Sequence, residues 1–226
     1  MEPIEIKLKS HVQVAIARFQ DLAVESLLAL DNKIILHGGT AIWRCYKGKR
    51  FSYDIDIYVS RSQREKIYRE FTWELSKRNL SMKYNAMTEN VISVFNNEAK
   101  VKLEMMIKAG IKSITKEYER ADGSFMFVNT LTADAFINEK IKAYESRRYE
   151  RDLYDIYHLV STQDISKKTR NALISFINKM QPPIDKDSLS SIVYEGAVPN
   201  YNNLVDGIKR KLSISGSHKM RNGHKI

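Results

Sequence analysis

Tyr53-Asp54-Ile55-Asp56-Ile57-Tyr58-Val59 alternates polar with apolar residues and reads as a strand. Successive side chains on a strand point to opposite faces, so Asp54 and Asp56 share one face while Ile55, Ile57 and Val59 share the other. Carboxylates two residues apart lie about 7 Å apart at Cα, close enough for their oxygens to converge on one ion. Like charges that close repel unless a cation offsets the cost. The apolar triplet anchors the strand in a core, which gives hard oxygen ligands a rigid support. Such a pair suits magnesium, whose octahedron is completed by substrate phosphates. The competing reading is a half-exposed strand that carries two aspartates on its outer face; aspartate is depleted in strands, which weighs toward the metal.

Just upstream, residues 34–36 form a short apolar run expected as a buried strand. His37-Gly38-Gly39-Thr40 follows as a turn, and residues 41–46 open a helix directly after it. A diglycine between a strand and a helix lets the backbone approach a ligand closely. It also presents unpaired N–H groups and the positive helix end to phosphate oxygens. Thr40 adds a hydroxyl donor, although a plain strand-to-helix turn explains the same residues. Residues 47–52 read as a basic loop in which Arg50 stands ready to neutralise phosphate charge or simply faces solvent.

Downstream, Ser60 is expected to cap a helix over residues 63–79. Three β-like runs (82–86, 91–95 and 100–107) are joined by Asn-bearing connectors, which predicts an antiparallel meander. Within the last run Glu104 is the only acid. Beside the Asp54/Asp56 strand it would serve as a general base or as a second-metal ligand; as an edge residue it would pair with Lys100 or Lys102. Asp122-Gly123 marks a turn before a strand at 124–128. An amphipathic helix over 6–30 precedes all of this.

From Thr132, an expected N-cap, the pattern turns helical, with helices at 133–146, 148–161, 166–179 and 203–212. The expected domains are therefore 1–130, a helical domain 131–212, and a basic flexible tail 213–226. On the first of these helices Lys140, Tyr144 and Arg147 share a face. On the next, Arg148/Asp152 and Arg151/Asp155 stand at i,i+4 spacing.

The 226 residues are 43% hydrophobic and 28% charged, so a core can form and general disorder is excluded. No apolar run approaches the ~18 residues that span a bilayer, and the start lacks a signal-peptide pattern; a cytoplasmic protein is expected. Cys45 is the one cysteine, which excludes an intrachain disulfide and reads as a buried structural thiol. The net charge of +10 favours an anionic partner. Residues 209–226 carry six basic and no acidic residues, which leaves +4 on the rest.

Three segments resemble one family: I-L-H-G-G-T-A-I at 35–42, R-F-S-Y-D-I-D-I at 50–57, and E-K-I-K-A-Y-E-S-R-R-Y-E-R-D-L-Y-D-I-Y at 139–157. Their order and spacing are similar to the G-G-T-A-L, R-x-S-x-D-x-D and E-K-x-x-A…R-D-x-x-D elements of the AbiEii/AbiGii toxins. The resemblance implies an α+β nucleotidyltransferase-like mixed sheet with flanking helices, followed by a helical C-terminal domain. It implies transfer of a nucleoside monophosphate from an NTP with Mg2+ or Mn2+. Asp54 and Asp56, with Glu104 as third candidate, would hold metal. Gly38, Gly39, Thr40, Arg50 and Ser52 would line the nucleotide, Lys140 would reach the triphosphate, and Asp152 would match a second-domain acidic position, contacting nucleotide or orienting Lys140. Some relatives add nucleotides to the tRNA acceptor end, and most pair with an antitoxin. This chain departs from the pattern by carrying Glu at 104, where relatives often have Asp, and by residues after 165, which match no element of it.

An RNA or tRNA acceptor is thus expected, in a toxin. The alternatives are transfer to a protein or small molecule, or a catalytically silent nucleic-acid-binding module. Two repelling aspartates argue against the last.

Overall fold

The computed structural model describes residues 2–78 and 83–217. A one-turn helix α1 (Ile4–Lys7) and a long helix α2 (His11–Leu30) open the chain. The expected single helix over 6–30 is broken because Ser10 is extended and its hydroxyl accepts from Gln13 N at 3.2 Å, capping α2. Then come β1 (Ile35–His37), α3 (Gly38–Cys45), β2 (Asp54–Val59) and α4 (Arg61–Ser76). The helix α3 begins at Gly38, so the diglycine is its first turn rather than a separate bend. Ser60 caps α4 in a reciprocal box with Gln63.

Five strands complete the sheet: β3 (Lys83–Thr88), β4 (Val91–Phe95), β5 (Lys100–Ile107), β6 (Ile114–Glu119) and β7 (Phe125–Thr130). Their order is β3-β4-β5-β2-β1-β7-β6 in one seven-stranded sheet. The meander β3-β4-β5 is antiparallel as its sequence suggests. β2 runs antiparallel to β1 and parallel to β5, and β1 runs parallel to β7, so the sheet is mixed.

The strand β6 has no counterpart in the sequence reading. Its run ITKEYE is mostly polar, and only Tyr118 and Glu119 are buried. It forms a hairpin with β7 through the Asp122-Gly123 turn, where Gly123 has φ +83° and Asp122 Oδ1 accepts from Ser124 N at 2.9 Å.

Ile55, Ile57, Val101, Leu103, Ile92 and Val94 are fully buried and make the apolar side of the central strands. Arg44, also buried, donates to the carbonyls of Ala17 and Glu119, stacks on Trp43 and lies 3.4 Å from Asp21, which ties α2, α3 and β6 together. Cys45 is 7% exposed, and burial pushes its thiol up to about 12.

The chain divides into two compact units, Met1–Leu131 and Thr132–Ile226. The second holds α5 (Ala133–Arg147), α6 (Glu150–Thr162), α7 (Lys167–Lys179), a 3-10 turn (Ser188–Ser191) and α8 (Tyr201–Ser217). Thr132 caps α5. α8 starts earlier than its sequence suggests because Asn200 and Asn203 each bond the other's backbone N–H. It also continues into the expected tail; residues 218–226 of that tail lie outside the described residues, as do Asn79 and Met82 at the edges of the expected helix and strand. Among the described residues no helix is long and apolar enough to cross a membrane.

Candidate functional site

β2 lies near the middle of the sheet, and its register fixes what surrounds the aspartates. Asp54 stands beside Lys102 and Asp56 beside Glu104 on β5; His37 on β1 faces Asp56 from the other side. Because side chains alternate, all of these share one face, opposite the buried Ile55, Ile57 and Leu103.

The backbone leading into β2 is held from behind. The buried Gln20 amide on α2 donates to the carbonyls of Ser52 and Tyr53 at 2.9 and 3.0 Å. Thr40, 1% exposed, donates its hydroxyl to the Asp54 carbonyl at 2.5 Å. Its proton is thus committed to the start of β2 rather than offered to a ligand.

The two glycines permit close approach. Gly38 has φ +71°, and a Cβ there would sit 1.9 Å from Asp56 Oδ2. A Cβ on Gly39 would sit 2.6 Å from Ser52 Oγ and 2.7 Å from Arg50 Nη2. The first turn of α3, the Asp56 carboxylate, the Ser52 hydroxyl and the Arg50 guanidinium are therefore packed together. Arg50 is buried, not a solvent-facing loop residue, and one of its N–H groups reaches the Phe51 carbonyl.

Lys102 is a site residue the sequence reading placed only as a possible partner of Glu104. Its Nζ lies 2.5 Å from Glu104 Oε1 and 3.6 Å from Asp54 Oδ2. The hydrogen bond to Glu104 is the main cause that raises its pKa above the ordinary lysine value; burial opposes it, and the nearby Asp54 charge adds to the rise. Asp54, Lys102 and Glu104 side chains are each about two-fifths exposed. Among the described residues no group of three or more His, Cys, Asp or Glu side chains is gathered so as to hold a metal ion. Glu104 is thus in register with Asp56 without forming a three-carboxylate cage.

A cleft of about 730 Å³ opens on this face. Asp56, Glu104 and His37 line it together with Arg61 and Arg64 from the start of α4 and Glu89 from the β3-β4 turn. His37 stacks flat on Tyr58, with centroids 3.7 Å apart and planes 6° apart. The sequence reading missed His37, Arg61 and Arg64 as cleft residues; the signal available was the basic first turn of α4.

Lys140 and Asp152 come together in the second unit. Lys140 Nζ lies 3.2 Å from Asp152 Oδ1 and 2.7 Å from Asp155 Oδ2, and Arg147 donates twice to Asp152 at 2.8 and 2.9 Å. Lys140, Asp152 and Asp155 are all buried. The expected pairs Arg148/Asp152 and Arg151/Asp155 are replaced by this cluster. Arg148 takes a left-handed conformation at φ 50° and ends α5, and Arg151 lies over the Tyr149 ring instead.

A family profile described as nucleotidyl transferase AbiEii toxin, type IV TA system, matches residues 21–209. The chain belongs to this family. It is accordingly a nucleotidyltransferase, and the resemblance carried by the three sequence segments holds. AbiEii membership agrees with the solved structures of similar fold. JHP933 from Helicobacter pylori is 16% identical, with a TM-score of 0.64 over 94% of this chain and 97% of that one. MenT4, a nucleotidyltransferase toxin from Mycobacterium tuberculosis, is 15% identical, with a TM-score of 0.59 over 92% and 86%. At these identities the likeness speaks for the fold. No curated protein matches the sequence.

Proposed function

We propose that this AbiEii-family chain transfers a nucleoside monophosphate from an NTP to a hydroxyl of RNA, of the tRNA class, and that its partner is an antitoxin protein. The observation that carries the site is the Asp54/Asp56 pair on one face of β2, with Asp56 against the first turn of α3. The +10 net charge favours a polyanionic acceptor.

The donor set fits magnesium or manganese. Two hard carboxylates on a rigid strand leave room for the phosphate oxygens and waters such an ion keeps, so no three-carboxylate cage is needed. Asp54 and Asp56 would hold it, and when bound it would neutralise charge on the transferring and leaving phosphates.

The chain's own groups do the rest. Backbone N–H groups of Gly38 and Gly39 at the α3 N-terminus bind phosphate oxygens, with Arg50 and Ser52 packed beside them. Thr40 acts indirectly, by fixing the peptide from which Asp54 projects. Glu104, in register with Asp56, takes the proton of the attacking hydroxyl. The hydroxyl oxygen bonds to the α-phosphorus as the bond to pyrophosphate breaks. Lys140 and Asp152 enter this reading through the family resemblance, with Asp152 orienting the ammonium.

The test is incubation with Mg2+, each labelled NTP in turn, and total cellular RNA. Label should enter an RNA species. Asp56→Asn should lower the rate by about 10³-fold or more while leaving the folded state intact, since several kcal/mol of transition-state stabilisation are lost. Label on protein would move the acceptor to the alternative class, and undiminished labelling by Asp56→Asn would overturn the site.

A further inference from the structure

Lys102 carries no role in the reading above, although it occupies the middle of the site. Its strand neighbour is Asp54, and Glu104 lies two residues along its own strand on the same face. The ammonium is therefore placed by register between two carboxylates, at 3.6 Å from Asp54 and 2.5 Å from Glu104.

Resting on the reading of Asp54 and Asp56 as metal ligands, we propose that Lys102 is a built-in counter-cation: its ammonium holds the acidic face together until a divalent ion arrives, and then yields Asp54 to it. Three observations carry this. The pair is bidirectional, so one ammonium offsets repulsion on both strands. All three side chains are about two-fifths exposed, so the ion pairs are partly hydrated and inexpensive to separate. The flexible four-carbon stem of lysine lets the charge swing away from Asp54 without moving β5.

An ammonium near an incoming divalent cation repels it, and a charge at such a distance in a half-solvated site shifts affinity by about tenfold. Lys102 is thus a positioning residue that sets the metal concentration at which the site fills.

The test uses the full-length protein and Mn2+ alone, with binding followed by electron paramagnetic resonance, and the Mg2+ dependence of labelling as a second readout. Lys102→Met should bind Mn2+ about tenfold more tightly and reach half-maximal labelling at proportionally lower Mg2+. Lys102→Arg keeps the charge and should stay close to the unaltered protein in both. A merely structural ion pair would move neither curve. Equal or weaker Mn2+ binding by folded Lys102→Met overturns the inference. Absence of Mn2+ binding by the unaltered protein, with Asp56→Asn no different, overturns the metal-ligand reading beneath it instead.

Discussion

Each unit gathers two carboxylates around a lysine, and the two groups differ most in solvation. In the first, Asp54, Glu104 and Lys102 side chains are 38–45% exposed. In the second, Lys140, Asp152 and Asp155 side chains are 0–7% exposed, and Arg147 adds a further charge on Asp152. The same chemistry therefore does different work. Hydrated pairs contribute little stability and rearrange readily. Buried ones are costly to assemble and costlier to break singly, because an unmatched charge stays behind. Under the proposed function the open group is the one that exchanges with a ligand, while the closed one holds α5 against α6 and keeps Lys140 in place.

The sharpest way to break this contrast is a matched pair of truncations. Asp152→Ala leaves Lys140 and Arg147 facing each other with one carboxylate, and should cost about 3–5 kcal/mol in chemical denaturation. Asp54→Ala should cost no more than about 1 kcal/mol. Comparable losses for both would mean that exposure does not separate the two groups.

A smaller effect is expected at Gly38. Alanine there must hold a left-handed φ and push Asp56 Oδ2 out of the space its Cβ takes, so Gly38→Ala should lose about 1–3 kcal/mol. It should lose labelling activity beyond that, because Asp56 is displaced. Unchanged labelling would show that close approach of α3 to Asp56 is not required.

Smallest in energy is a test of closed ground within the first unit. With its thiol at about 12 and its side chain buried, Cys45 should resist a thiol-reactive dye at pH 8 in the native protein and react fully in denaturant. Prompt native labelling would mean that α3 opens.

Much of the sheet could be read from alternation, because a half-buried strand writes its two faces into the chain. β2 and the β3-β4-β5 meander came through for that reason. β6 did not, since an edge strand buries few side chains and ITKEYE shows no apolar rhythm. At the candidate site the aspartates and glycines were legible as residue types, whereas their supports were not. Gln20 reaches Ser52 and Tyr53 across 32 and 33 positions, and the place of Lys102 depends on β5 lying parallel beside β2. Helical spacing assumes an unbroken phase, so Arg148/Asp152 fails where Arg148 turns left-handed at the end of α5; Arg151 and Asp155 share α6, and there the buried Lys140 takes Asp155 while Arg151 lies over Tyr149.

The central position of β2 has a last consequence. A strand bonded on both edges is locked in frame, and sliding it by one residue would bury Asp54 and Asp56 while pushing Ile55 and Ile57 into water. Oil and acid are thus coupled in a single zipper: any misthreaded chain that misplaces the carboxylates also forfeits its core, so a folded molecule with a scrambled acidic face is eliminated by the same energy that folds the correct one.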